Sequence, residues 1–303
     1  MNPITGLLVA LGVITAAFSA GWARAFGAAR KAAGAGSTPA TDARMPTGGM
    51  IGVGALTNFL DTLGIGSFAT TTSLFRFFKM VPDKFIPGTL NTGHTLPTVA
   101  EAFIYTAAIP VDVLTLFSMI LASMLGAWLG AGVVSKWDKK HVQFGMGGTL
   151  LGAAGIFLMQ ALNLIPGGGS ATGVVGLSLA IGIVGNFCLG ALMTLGIGLY
   201  APCLILVSLL GMDPRSAFPI MMGSCAFLMP VGSLRFIKEQ SYSLRASLGL
   251  AIGGIPGVLL AAFIVKSMPL TYVRWLVIAV VVYTSVTMLR SAMTEPAEQP
   301  AAA

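Results

Sequence analysis

The residues able to do chemistry in this chain are few, because it is 55% hydrophobic and only 9% charged. Hydroxyls stand together at Thr70-Thr71-Thr72-Ser73, and Asn91 and His94 follow in the next segment. In the second half, Tyr200 and Cys203 are followed by Ser224 and Cys225. Thr70, Thr71, Ser73, Asn91, His94, Tyr200, Cys203, Ser224 and Cys225 are therefore the candidate substrate-binding residues. They offer uncharged hydroxyl, amide, imidazole and thiol groups, a set suited to holding a small anion. Asp61 and His94 are candidates for coupling, since an ionisable group inside a membrane is costly and marks function. Cys188, Cys203 and Cys225 show no Cys-x-x-Cys or Cys/His spacing, so neither a metal site nor a disulfide framework is expected. No catalytic residue, metal or cofactor is expected, and the chain does not read as an enzyme.

The element that must position these residues is repeated. Residues 62–99 and 194–231 align without a gap at an offset of 132, with twelve identities in thirty-eight positions. Thr62-Leu63-Gly64-Ile65-Gly66 recurs as Thr194-Leu195-Gly196-Ile197-Gly198, and Pro82 and Pro87 recur as Pro214 and Pro219. In a hydrophobic chain, two copies of a Gly/Pro-interrupted segment point to a transport site at a repeat interface. Gly64, Gly66, Gly196 and Gly198 are read as hinges. A half-helix starting at such a break leaves backbone N–H groups unpaired and carries partial positive charge, which together suit an anion. One half-helix would start at Phe68–Ser73 and the other at Tyr200-Ala201-Pro202-Cys203, with Pro202 in the first turn, where its missing N–H is no loss. Inverted symmetry would bring the two starts together near the midplane.

Plainer readings stand beside these. Thr and Ser in membrane helices also bond the i−4 carbonyl and serve packing. His94 is either a ligand, a proton-linked group or a satisfied structural residue. Asp61 either senses protons or holds the turn through backbone bonds. Asn58 and Asn186, each just before a break, either bond the opened backbone or bind substrate. Glu101 reads as lying close to the outer surface, and His141 as interfacial.

Composition places the whole chain in a bilayer. Its mean hydropathy is +0.88, and soluble domains carry about 25% charged residues. Stretches 113–134, 173–195 and 247–265 reach the ~18–20 apolar residues that span hydrocarbon. The net charge of +7 is spread over short loops, as the positive-inside rule expects, and does not suggest nucleic acid. Helices are expected at 3–22, 84–107, 112–135, 141–163, 216–238, 245–266 and 271–290, with interrupted stretches at 48–80 and 173–211. A cleaved signal peptide competes for residues 1–22, but no basic residue precedes the apolar run, so a retained helix is favoured.

Charge then sets the expected topology. The linker 24–44 and the segment 76–84 are both basic, which puts both ends of 48–80 on the cytoplasmic side and makes it re-entrant. The fold expected is an all-α integral membrane protein with inverted repeats. Each repeat has a re-entrant or broken helix plus three transmembrane helices, and one extra N-terminal helix makes about seven crossings. The divisions are 1–46 (N-terminal helix and basic cytoplasmic linker), 47–165 (repeat 1), 170–291 (repeat 2) and 292–303 (a disordered tail). A continuous-helix arrangement with nine crossings is the alternative. The expected location is the inner (plasma) membrane, with the C-terminus cytoplasmic.

Over roughly residues 47–291 the chain resembles the sulfite exporter TauE/SafE family of membrane proteins. The resemblance rests on the Gly-rich break followed by Ala69-Thr70-Thr71-Thr72-Ser73-Leu74, the link Met80-Val81-Pro82, and the segments Ala122–Gly130 and Gly254–Ala261. It implies export of sulfite or an organosulfonate such as sulfoacetate, whereas the residues alone reach only a small anion. The expectation is thus a secondary transporter, an exporter, of a small sulfur-containing anion. Its partners are that anion and the lipid bilayer, and a homodimer is compatible with the sequence. The rivals are a membrane redox or sulfur-transfer protein using Cys203 and Cys225, and an anion channel.

Overall fold

The computed structural model describes residues 3–31, 38–134, 139–162, 164, 169–193, 199–267 and 269–294. They form helices α1 (Pro3–Lys31), α2 (Gly48–Thr62), α3 (Ser67–Phe77), α4 (Ile86–Ala108), α5 (Val113–Val134) and α6 (Lys139–Ala161). The series continues with α7 (Gly176–Met193), α8 (Tyr200–Leu209), α9 (Ala217–Lys238), α10 (Leu244–Ser267) and α11 (Leu270–Thr294). Short 3-10 turns at Asp83–Phe85 and Pro214–Ser216 lead into α4 and α9. No strand occurs among the described residues, only one isolated bridge between Ala171 and Met212.

Among the described residues, five helices are long and apolar enough to cross a membrane: Pro3–Lys31, Gly176–Met193, Pro214–Lys238, Leu244–Ile264 and Trp275–Thr294. The chain is accordingly an α-helical membrane protein. α4 has 23 residues but is not among them, because it carries His94, Glu101 and several threonines. Those side chains are buried in protein, where polar groups can be satisfied.

The first helix runs further than 3–22. It continues through Arg24, Arg30 and Lys31, so the start of the expected linker is helical. Ala, Arg and Lys are strong helix formers, and the basic Arg30 and Lys31 lie in the last turn, where cations complement the helix dipole.

The helix breaks where the glycines stand. α2 ends at Thr62 and α3 starts at Ser67, with Gly64 at φ 91° and Gly66 at φ 89° between them. A Cβ at Gly66 would meet nothing within 4 Å. Backbone conformation therefore demands glycine there, not lack of room. α7 is described to Met193 and α8 from Tyr200, and the expected hinges Gly196 and Gly198 lie outside the described residues.

The chain divides into two compact units, each drawn from both sequence halves. The first is Met1–Ala108 with Cys225–Lys266, and the second is Ile109–Ser224 with Ser267–Ala303. In the first unit α10 lies against α2 backbone to backbone: a Cβ at Gly253 would collide with the Ile51 carbonyl, and one at Gly257 with that of Ala55. In the second unit α5 meets α7 in the same manner, through Gly126 at the Phe187 carbonyl and Gly190 at that of Ser123. Small residues permit such approach, and dispersion and polar contacts then hold the helices in lipid.

A buried polar site at the first helix break

Helical spacing gathers the polar side chains of the first unit. Asn58, Asp61 and Thr62 share one face of α2, and His94, Thr98, Glu101 and Tyr105 share one face of α4, by i, i+4, i+7 periodicity. Ser67, Thr71 and Phe75 form the buried face of α3. Asn58, Asp61, Thr62, Ser67, Thr71, His94, Glu101 and Tyr105 are each no more than 3% exposed.

A line of hydrogen bonds joins them. Asn58 Nδ2 donates to the Gly54 carbonyl at 2.7 Å, which leaves Asn58 Oδ1 as an acceptor. His94 Nδ1 lies 2.9 Å from that oxygen and must carry the proton. In the neutral ring Nε2 is then the acceptor, and the Thr71 hydroxyl donates to it at 3.0 Å. Phe68 leans over the imidazole, ring centroids 6.0 Å apart. Further along, Thr62 Oγ1 lies 2.7 Å from both the Asn58 carbonyl and Glu101 Oε1. The Tyr105 hydroxyl reaches the Thr62 carbonyl at 3.4 Å.

Asp61 caps α3 across the break. Its Oδ1 accepts the Ser67 N–H at 2.7 Å, and its Oδ2 accepts the Ser67 hydroxyl at 3.0 Å. The N-cap residue itself, Gly66, has no side chain for this task. A carboxylate at a helix start is stabilised by the dipole and by the N–H it receives. The head of α3 is thus a site suited to an anion, and the chain's own Asp61 carboxyl already occupies it.

The second unit carries a partial counterpart. Asn186 Nδ2 donates to the Met119 carbonyl at 2.7 Å and to Ser224 Oγ at 3.2 Å. The Asn186 Oδ1 is buried with no hydrogen-bond partner. Ser224 stands to Asn186 as His94 stands to Asn58, a polar group on the helix that follows the break.

The structure separates the hydroxyl run. Thr71 turns inward to His94. Thr70 bonds the Ser67 and Gly66 carbonyls at 2.9 and 3.2 Å, and the exposed Ser73 bonds the Ala69 carbonyl at 2.9 Å. Asn91 Nδ2 likewise donates to its own helix, at the Pro87 carbonyl, 3.0 Å. Tyr200 and Cys203 are buried on α8, Ser224 is buried beside Asn186, and Cys225 is buried on α9. Glu101 is not near the surface: it is fully buried and bonded to Thr62. Its spacing of seven from His94 and four from Tyr105 was the available signal, along with Asn58, Asp61 and Thr62 on one face. Among the described residues no group of three or more His, Cys, Asp or Glu could hold a metal ion. The chain matches no protein-family model, no curated protein and no solved structure.

Proposed function

We propose that the chain is a secondary transporter that exports a small sulfur-containing anion, sulfite or an organosulfonate such as sulfoacetate. The observation that carries this reading is the buried Thr71–His94–Asn58 line beside a glycine reversal, in a chain built to sit in lipid. Polar groups at membrane depth mark pathways by default, and a broken helix is a recurrent way to build one. The sulfur chemistry of the substrate rests on the TauE/SafE resemblance alone.

The bonding suggests how a proton would prepare the site. With His94 neutral, the Thr71 hydroxyl is committed to Nε2. Protonation turns Nε2–H into a donor and releases the Thr71 hydrogen, so two donors become available to an oxyanion. Asp61 opposes a second anion at the head of α3 while it is charged, and stops doing so when neutral. Anion loading is then linked to proton uptake at Asp61, His94 or both. The equivalent packing of α10 on α2 and of α5 on α7 supports an inverted duplication. In this reading each repeat holds one re-entrant element (α2–α3 or α7–α8) and three crossings, in the inner membrane with the C-terminus cytoplasmic. Burial of Cys203 and Cys225 weighs against the redox rival, which needs accessible thiols.

Purified protein in liposomes, assayed with labelled sulfite and sulfoacetate, tests the proposal. Saturable flux is expected, abolished by Thr71→Val and by His94→Phe. No saturable flux of either anion, or wild-type flux in both variants, would sink it. Continuous conductance would favour a channel instead.

A further inference from the structure

Glu101 plays no part in the reading above, yet its hydrogen bonding fixes its charge. It is fully buried on α4. Thr62 Oγ1 lies 2.7 Å from Glu101 Oε1 and 2.7 Å from the Asn58 main-chain carbonyl, the usual length of an O–H···O bond. A hydroxyl has one hydrogen and a main-chain carbonyl has none, so only the Thr62 hydrogen can make the contact to Asn58. Thr57, on the same helix, gives its hydrogen to the Val53 carbonyl four residues back in the same way, at 2.8 Å. The contact between Thr62 and Glu101 then needs a hydrogen on the carboxyl. With Glu101 ionised, two acceptors would compete for one hydrogen, and one contact would set lone pair against lone pair at 2.7 Å.

Helix dipoles sort the two carboxyls of this region in the same sense. Both oxygens of Asp61 receive hydrogens, from the Ser67 N–H and hydroxyl, and they do so at the positive head of α3. Glu101 instead meets Thr62, the last residue of α2, where the dipole is negative and opposes an anion. Asp61 on α2, with His94 and Tyr105 on α4, are the ionisable side chains on these faces. Charged residues on the surrounding elements stand elsewhere. Arg24, Arg30 and Lys31 of α1, Arg76 of α3, and Arg235 and Lys238 of α9 are exposed. Asp83 and Lys84 precede α4, at the end opposite Glu101. On α10, Arg245 bonds the Met45 carbonyl and Lys266 lies in the last turn. A proton on Glu101 removes a charge that is costly at membrane depth.

We infer that Glu101 is the proton-carrying group of the transport cycle, a carboxylic acid in the closed α2–α3 elbow and a carboxylate once the elbow opens to water. The proton leaves Glu101 Oε1 for solvent, and the Thr62 hydrogen rotates from the Asn58 carbonyl to the carboxylate. Asn58 links this event to the anion site. Its carbonyl takes the Thr62 hydroxyl, while its side chain holds His94 Nδ1 at 2.9 Å. The role in transport rests on the transporter reading above, whereas the proton on Glu101 rests on the bonding alone.

Infrared difference spectroscopy of the full chain at neutral pH, wild type minus Glu101→Gln, reads the proton directly. Glutamine keeps an N–H for Thr62, and an unchanged melting temperature checks the fold. A carboxylic-acid C=O band that moves in D2O is expected; a carboxylate band in its place overturns the inference. Thr62→Val removes the acceptor and should shift the acid band to higher frequency, which identifies the band even where the glutamine variant does not fold. An unmoved band would overturn donation to Thr62. In liposomes, Glu101→Gln should still exchange labelled for unlabelled sulfoacetate, which needs no net proton movement, and should lose accumulation driven by a pH gradient. Gradient-driven accumulation equal to wild type, or loss of exchange as well in a folded variant, would overturn the coupling role. If wild type carries neither sulfite nor sulfoacetate, the transporter reading fails, and the coupling role with it, while the infrared band still decides whether Glu101 holds a proton.

Discussion

Asp61→Asn is the perturbation that most directly probes the proposed coupling. Asparagine is isosteric, so Oδ1 can still accept the Ser67 N–H, and Nδ2 can donate to the Ser67 hydroxyl in place of the bond seen at 3.0 Å. The cap survives, and the lost charge–dipole term amounts to about 0.3–1 kcal/mol, up to ~2 when buried. The effect on an external anion is larger. An oxyanion that takes N–H groups at the head of α3 would sit roughly 4 Å from the Asp61 carboxylate, where repulsion at an effective dielectric of about 20 is about 4 kcal/mol. That is a factor of roughly a thousand in affinity. Sulfite or sulfoacetate binding to wild type should therefore tighten as pH falls. The variant should bind near the wild-type acid limit at every pH at which the ligand keeps its charge. Isothermal titration in detergent from acid to alkaline pH, with proteoliposome flux in parallel, reads both. Equal affinity of variant and wild type across the range, or an unaltered pH profile in the variant, would refute the tethered-anion argument. It would do so without touching the claim that Thr71 and His94 hold substrate.

Other expectations follow from single features. Asn58→Leu strands the His94 Nδ1–H in a buried setting and should cost about 1–3 kcal/mol, measured by thermal unfolding in detergent; an unchanged melting temperature would contradict the bonding described. Gly66→Ala meets no clash but forces a left-handed alanine, at about 1–2 kcal/mol, so it should lower stability mildly. Gly253→Leu must push α10 away from the Ile51 carbonyl and should be the more damaging of the two; the reverse order in melting temperature would contradict the packing. The Arg44 guanidinium bonded to Asp42 holds its carboxyl below the usual range. A depressed carboxylate stabilises above its unfolded pKa and loses that contribution as pH falls through the folded one. Proteolysis near residues 38–45 should therefore rise on acidification, and less so in Asp42→Asn, which lacks the titrating group.

Much of the backbone was legible because local rules dominate it. Expected helices at 84–107, 112–135, 216–238 and 245–266 correspond to α4, α5, α9 and α10 within a few residues. The Gly64-Ile65-Gly66 break is a conformational requirement written in residue type, and positive φ at both glycines meets it. The site was only half legible. The hydroxyl run predicted polarity at the start of α3, yet one hydroxyl of Thr70, Thr71 and Ser73 faces inward. Apolar residues flank the run on every side, so no stripe in the sequence sets the phase of α3; packing does. Distance along α4 places Glu101 close to the outer surface, whereas its neighbours on α2 enclose it.

By itself the sequence determined that this protein lives in a bilayer, that a helix breaks at Gly64-Ile65-Gly66, and that polar residues cluster around that break. Composition and glycine conformation are properties of residue type and need no partner. Only tertiary structure decided that Asp61 caps α3, that Thr71 rather than Ser73 meets His94, and that α10 closes on α2. Those facts join residues up to two hundred positions apart. Side chains in lipid gain nothing from hiding from water, so close backbone approach and the satisfaction of buried donors select the arrangement.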